Sequence, residues 1–175
     1  VSRYAKIKYY CISNGDGVGT SVFFTGCHFH CKGCFNSSIW DKNNGKEFNE
    51  EIIKKIIDSL DYDYVNHISF LGGEPFEPYN INTLFELIDR VKEKYGDKKK
   101  IWVWTGYKFE DLLKRNLKRK NINPRELTKI DYLVDGQFIE SLKNMNLKNR
   151  GSSNQRVIDI KKTFHYNDIV LKEGE

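Results

Sequence analysis

Residues 48–75 read FNEEIIKKIIDSLDYDYVNHISFLGGEP, and this stretch decides the fold class. Asn49 is a natural N-cap, and Glu50 and Glu51 suit the positive end of a helix dipole. Phe48 is placed to staple onto Ile53. Ile52, Ile53, Ile56, Ile57 and Leu60 make one apolar stripe at helical spacing, which predicts an amphipathic helix. The chain then returns as a strand, Val65 to Leu71, rich in β-formers and stopped by Gly72-Gly73-Glu74-Pro75. A helix followed at once by a strand is half of an alternating α/β unit.

The same alternation extends outward in both directions. Ile7 to Ile12 and Ser21 to Thr25 read as strands, joined by the glycine-rich turn Asn14-Gly15-Asp16-Gly17. Downstream, Leu84, Leu87, Ile88 and Val91 mark a second amphipathic helix, and Ile101 to Thr105 a strand halted by Gly106. Phe109 to Arg119 reads as helix, Ile130 to Val134 as a strand, and Arg156 to Ile160 as a last strand. Trp102 and Trp104 share one face of their strand and read as core. We expect a single domain over residues 1–175, with a mostly parallel sheet and helices packed outside. The residues from 161 to 175 read as an extension. In such sheets ligands sit at the carboxyl ends of the strands, so the loops after Thr25, Leu71 and Thr105 should meet at one rim.

Composition sets limits. The chain has 175 residues, enough for one domain with a hydrophobic core. No apolar run approaches the roughly 20 residues needed to cross a bilayer, and the start has no apolar signal region. A cytoplasmic protein without membrane attachment is expected. The net charge is +5, with clusters at Lys98-Lys99-Lys100 and from Lys114 to Lys120. They are not interleaved with aromatics as a nucleic-acid platform requires, so no nucleic-acid partner is expected.

Three of the four cysteines, Cys27, Cys31 and Cys34, fall on one short loop. Neighbours this close rarely build a disulfide framework and suggest a metal. One possibility is an iron–sulfur cubane, which has four irons and normally takes four cysteines, so that three would leave one iron open. The other is structural zinc, with His28, His30 or Cys11 as fourth ligand. Cys11 alone is a buried thiol on the first strand in its simplest reading. Gly72-Gly73-Glu74-Pro75 exposes backbone at a strand end, where N–H and C=O groups could meet a ligand's carboxylate and ammonium. A zinc site has no use for such a loop.

Cys-x3-Cys-x2-Cys followed by Gly-Gly-Glu-Pro resembles the radical S-adenosylmethionine superfamily. Within it, the chain resembles the family that activates anaerobic ribonucleoside-triphosphate reductases, a group of glycyl-radical enzyme activases. The matching segments are Asn14-Gly15-x-Gly17, Thr25 to Asn36, Ser37-x-x-Trp40 and Gly72 to Pro75. They continue with Ile101 to Tyr107, Val134-Asp135-Gly136-Gln137-Phe138 and Arg150-Gly151-Ser152-Ser153-Asn154-Gln155-Arg156. The wider superfamily commonly has an aromatic before the third cysteine. Here Gly33 precedes Cys34 and Phe35 follows, which favours the narrower family.

The resemblance implies an incomplete (β/α) barrel of mostly parallel strands with outer helices. It implies a [4Fe–4S] cluster on Cys27, Cys31 and Cys34, and S-adenosylmethionine held by Gly33, Cys34, Phe35, Gly72, Gly73, Glu74, Thr105 and Tyr107. Phe35 is placed against adenine. Residues 150–156 are expected to touch the cofactor or the reductase, or to form a well-bonded loop. The implied partners are the anaerobic reductase as protein substrate and a low-potential electron donor such as flavodoxin. The implied reaction is reductive cleavage of S-adenosylmethionine, the 5′-deoxyadenosyl radical taking hydrogen from a glycine Cα. The alternative within the superfamily is a small-molecule enzyme such as a deazaguanine-modifying synthase.

Overall fold

The computed structural model describes residues 2–114 and 124–175. Among them, seven strands form one sheet: β1 (Arg3–Cys11), β2 (Val18–Phe24), β3 (Lys46–Glu47), β4 (Val65–Gly72), β5 (Lys100–Trp104), β6 (Tyr132–Asp135) and β7 (Arg156–Asp159). Their spatial order is β3-β1-β2-β4-β5-β6-β7. The helices are α1 (Glu50–Asp58), α2 (Ile81–Tyr95), α3 (Phe109–Lys114) and α4 (Ile160–Tyr166). The rest of the helix expected to Arg119, and most of the basic cluster from Lys114 to Lys120, lie outside the described residues.

Helix α1 begins as its sequence dictates. Asn49 is extended, and its side-chain oxygen accepts from the Ile52 N–H at 2.8 Å, satisfying one of the orphan donors of the first turn. Ile53, Ile56 and Ile57 turn inward, and Phe48 packs against the same core. Helix α2 buries Leu84, Leu87, Ile88 and Val91. The sheet answers with period-two alternation. Val22, Phe24, Ile68, Phe70, Ile101, Val103, Leu133 and Ile158 pack with the helices in one core. Each fully buried Leu, Ile or Phe contributes about 1.5–3 kcal/mol. The alternate positions look to the opposite face, where Trp102, Val134 and Val157 make a second cluster with Trp104 and Tyr132, and among the described residues no helical one joins them. One face of the sheet is therefore helix-covered, and the other is left to the loops.

The expectation of a mostly parallel sheet needs correction. Strands β2, β4, β5 and β6 run parallel, but β1 is antiparallel to both β2 and β3, and β7 is antiparallel to β6. The reason is connection length. The turn 12–17 is too short for the crossover of about a dozen or more residues that a parallel pair demands, so β1 and β2 must form a hairpin. Between β6 and β7 the chain forms no α-helix, and it likewise returns antiparallel. The result is a mixed α/β sheet.

The residues after Arg156 also differ from expectation. The last strand stops at Asp159, whose carboxylate accepts from the Lys162 N–H at 3.0 Å and starts α4. The chain then turns at Asn167 and runs back along β7, with Asp159 N–H donating to Val170 O and Lys172 N–H to Val157 O, both at 2.8 Å. No helix among the described residues is long and apolar enough to cross a membrane.

Candidate metal centre

Because β2, β4 and β5 are parallel, the loops after Phe24, Gly72 and Trp104 leave the sheet at one rim. Phe24 and Gly72 are direct partners in the ladder. Pairing continues past the strand ends: Gly73 N–H donates to Phe24 O at 2.9 Å and Glu74 N–H to Gly26 O at 2.7 Å. A Cβ on Gly73 would lie 2.3 Å from Gly26 O, so only glycine lets the two backbones approach this closely. This changes the role expected of the loop. The N–H groups of Gly73 and Glu74 are spent on the neighbouring backbone and do not face a ligand. Gly72 O accepts from the Asn36 side chain at 3.3 Å, which ties the far end of the cysteine segment to the same loop.

Glu74 is turned inward and is 1% exposed. Its carboxylate accepts from the Thr105 hydroxyl, from Gly106 N–H at 2.7 Å and from Phe76 N–H at 2.9 Å. Burial pushes its carboxyl up to about 7. Thr105 is therefore engaged with Glu74, and Tyr107 N–H donates to the Thr105 hydroxyl at 3.1 Å. The ring of Tyr107 stands edge-on to Phe29 of the cysteine loop, with centroids 4.8 Å apart. All three rim loops are thus joined.

The cysteine loop is anchored at both ends. Gly26 N–H donates to Ile39 O at 2.8 Å and Cys27 N–H to Trp40 O at 3.0 Å. Within it, Cys34 N–H donates to Cys31 O at 3.1 Å, and Asn36 N–H meets Cys34 Sγ at 3.4 Å. Gly33 takes a left-handed φ of +75° between them. The three cysteines are free thiols. Burial pushes Cys27 up to about 12 and raises Cys31, so in the bare protein both are protonated at neutral pH and must release protons to bind a metal. Both histidines are exposed and held from one side: His28 Nδ1 contacts Glu77 Oε1, and His30 stacks on Trp40 at 4.4 Å. Cys11 lies at the far end of β1, where its sulfur accepts from Ser13 N–H at 3.3 Å.

Beside this loop, on the helix-free face, lies a cleft of about 500 Å³ lined by Cys34, Phe35, Leu71, Trp104, Phe138 and Arg150 among others. Phe35 is 60% exposed and pairs with Phe138 at 5.3 Å. A cleft of about 480 Å³ among Tyr9, Tyr10 and Tyr62 lies at the opposite end of the sheet, so volume does not choose between them. The cysteines do.

Residues 13–158 match the model of a family described as a 4Fe-4S single cluster domain. Among curated relatives, the anaerobic ribonucleoside-triphosphate reductase-activating protein of Salmonella typhi is 37% identical over 157 residues, covering 89% of this chain and 97% of the relative. The protein of the same name from Escherichia coli K12 is 36% identical, covering 83% and 91%. That from Enterobacteria phage T4 is 35% identical, covering 82% and 85%.

The chain belongs to the family of anaerobic ribonucleoside-triphosphate reductase-activating proteins.

The family match supports an iron–sulfur cofactor, and the donor set suits one. Three unpaired thiols sit on a loop pinned at its base. Among the described residues, no three His, Cys, Asp or Glu side chains gather tightly enough to hold a single ion.

Residues 150–156 are densely bonded. The Gln155 side-chain oxygen accepts from the N–H groups of Gly151 and Ser152, and its amide donates to Gly136 O at 2.9 Å. Arg150, Gly151 and Gln155 nevertheless line the cleft. Two polar residues at the site, Glu77 and Asn80, carried no sequence signal; Asn36 and Gln137, whose side-chain oxygen lies 3.9 Å from Cys31 Sγ, fell within the family-like segments without a role of their own. Their partners lie far away in sequence.

Proposed function

We propose that the chain activates an anaerobic ribonucleotide reductase, with Cys27, Cys31 and Cys34 holding a [4Fe–4S] cluster and the rim loops holding S-adenosylmethionine beside it. When bound, these groups supply one-electron reductive cleavage of the sulfonium, giving methionine and a 5′-deoxyadenosyl radical that takes a hydrogen atom from a glycine Cα of the reductase. The observation that carries this reading is the locking of the three-cysteine loop to Gly72-Gly73-Glu74 at the mouth of one cleft.

The residues have separate tasks. Three thiolates are one fewer than a cubane normally takes, which reserves a position for the cofactor. Because the Gly73 and Glu74 N–H groups are engaged, this loop offers the cofactor carbonyl oxygens, which suit an ammonium. Gly33 and Cys34 present backbone on the other side, and Phe35 offers a ring to adenine. Glu74 and Thr105 act from behind by fixing the loops, and Tyr107 by holding Phe29. Strands β3 and β7 end the sheet at opposite edges, which fits an incomplete (β/α) barrel with a lateral mouth for the partner's glycine loop. The cleft keeps the radical from stray C–H bonds. The electron comes from a low-potential donor such as flavodoxin, in the cytoplasm.

The test is anaerobic. Reconstituted and reduced protein mixed with S-adenosylmethionine and the reductase is expected to yield 5′-deoxyadenosine and a glycyl-radical signal. No 5′-deoxyadenosine from a fully loaded sample sinks the proposal. Product without a glycyl radical redirects it to the small-molecule class.

A further inference from the structure

The turn that leads into α2 grips both halves of the site. Asn80 is completely buried, and its amide nitrogen donates to Thr25 O at 2.9 Å and to Glu74 O at 3.0 Å. Its oxygen accepts from the Ser2 hydroxyl at 2.9 Å, so both donors and one acceptor site of the amide are engaged. One turn earlier, Glu77 is 5% exposed. Its Oε1 accepts from His28 N–H at 3.0 Å and contacts the His28 ring. The two side chains therefore hold the backbone on either side of Cys27, Asn80 through Thr25 and Glu77 through His28. Between them, Gly26 O receives Glu74 N–H.

A carboxylate is buried at such a cost that it persists only where its bonds are made. Glu77 spends that cost on the His28 N–H, which directly follows the first cysteine. We infer that Glu77 and Asn80 are positioning residues, a polar clamp that holds the Cys27 end of the cysteine loop in fixed relation to the Gly72–Glu74 loop. Neither needs to touch cluster or cofactor. They act through Thr25, His28 and Glu74, so the metal-binding and cofactor-binding halves keep one geometry. The inference rests on the cluster reading only in treating Cys27 as a ligand.

Thiol labelling of the reduced, metal-free protein tests it, with Cys11 as internal reference because it lies at the far end of β1. Glu77→Ala is expected to speed alkylation at Cys27 relative to Cys11 by about tenfold, the factor that goes with losing a hydrogen bond to a charged group. Glu77→Gln keeps an oxygen for His28 N–H and is expected to leave the ratio within about twofold of native. An unchanged Cys27-to-Cys11 ratio in folded Glu77→Ala overturns the clamp, and so does a Glu77→Gln variant that labels as fast as Glu77→Ala. Should Glu77→Ala fail to fold, Asn80→Ser is read by the same ratio. If the native protein takes up no iron, the cluster reading fails while the labelling still decides the clamp.

Discussion

The hydroxyl of Thr105 lies 2.9 Å from Oε2 and 3.0 Å from Oε1 of Glu74, so the residues that end two neighbouring loops are locked face to face. Each carboxylate oxygen also meets a backbone N–H, Gly106 at Oε1 and Phe76 at Oε2. In Glu74→Gln the new NH₂ group must point at one of those donors whichever way the amide turns. The variant is expected to lose about 1–3 kcal/mol of stability in urea titrations. Its pH dependence has a definite sign. Burial lifts the folded-state value to about 7 from 4.5, so between these values the folded state holds a proton that the unfolded state has lost. Stability of the metal-free native protein should therefore fall as pH rises through that window, and Glu74→Gln should flatten the slope. A slope that survives the substitution places its origin elsewhere.

Cys31→Ala separates the cluster from the fold. Cys31 is half-buried and contributes little to the core, so thermal stability of the metal-free protein should change by less than about 1 kcal/mol. Iron content after anaerobic reconstitution and 5′-deoxyadenosine formation should disappear together. Full iron with full product formation in this variant removes Cys31 from the ligand set.

Phe35 tests binding without folding. At 60% exposure its ring stabilises the fold little, so iron uptake and unfolding midpoint are expected to stay native in Phe35→Ala. If the ring covers adenine, affinity for S-adenosylmethionine should drop by about tenfold to a hundredfold, the usual range for losing one base-stacking aromatic. Equilibrium binding to the reconstituted protein measures it, and unchanged affinity frees Phe35 from the adenine role.

How much of this was legible in the sequence follows from how local each signal is. Helix α1 was readable because its cap, Asn49, and its stripe lie within a dozen residues. The meeting of the rim loops was readable because parallel strands place their carboxyl ends together. Strand direction at β7 was not, since its long connection carries no α-helix, whereas at β1 the short turn 12–17 held the answer. Nor was the inward turn of Glu74, whose partner Thr105 lies 31 positions away. Exposure of the Gly73 and Glu74 N–H groups was inferred from glycine's freedom, but that freedom serves contact with Gly26. Asn80, bonded to Thr25 across 55 positions, left no local trace at all.

Arg156 supplies the last test, of the ion-paired network that joins β6, β7 and α3. Its Nε and Nη2 donate to the two oxygens of Asp135 at 3.0 and 2.5 Å, and Nη1 and Nη2 reach Glu110 at 3.0 and 2.8 Å. Asp135 is 1% exposed and otherwise accepts from Phe109 N–H at 2.8 Å. Arg156→Met would leave a buried carboxylate with one donor, and removing one partner of a buried pair costs about 3–5 kcal/mol. The Arg156 side chain is 30% exposed, so water can reach the gap and the loss should fall at the low end, about 3 kcal/mol. Arg156→Lys keeps the charge without the fork and should recover only part of it. Arg156→Met combined with Asp135→Asn removes the stranded charge and should recover more than Arg156→Lys does. Urea denaturation of the metal-free proteins decides the matter. A loss below about 0.5 kcal/mol in Arg156→Met would mean that Asp135 is neutral or hydrated in the folded state.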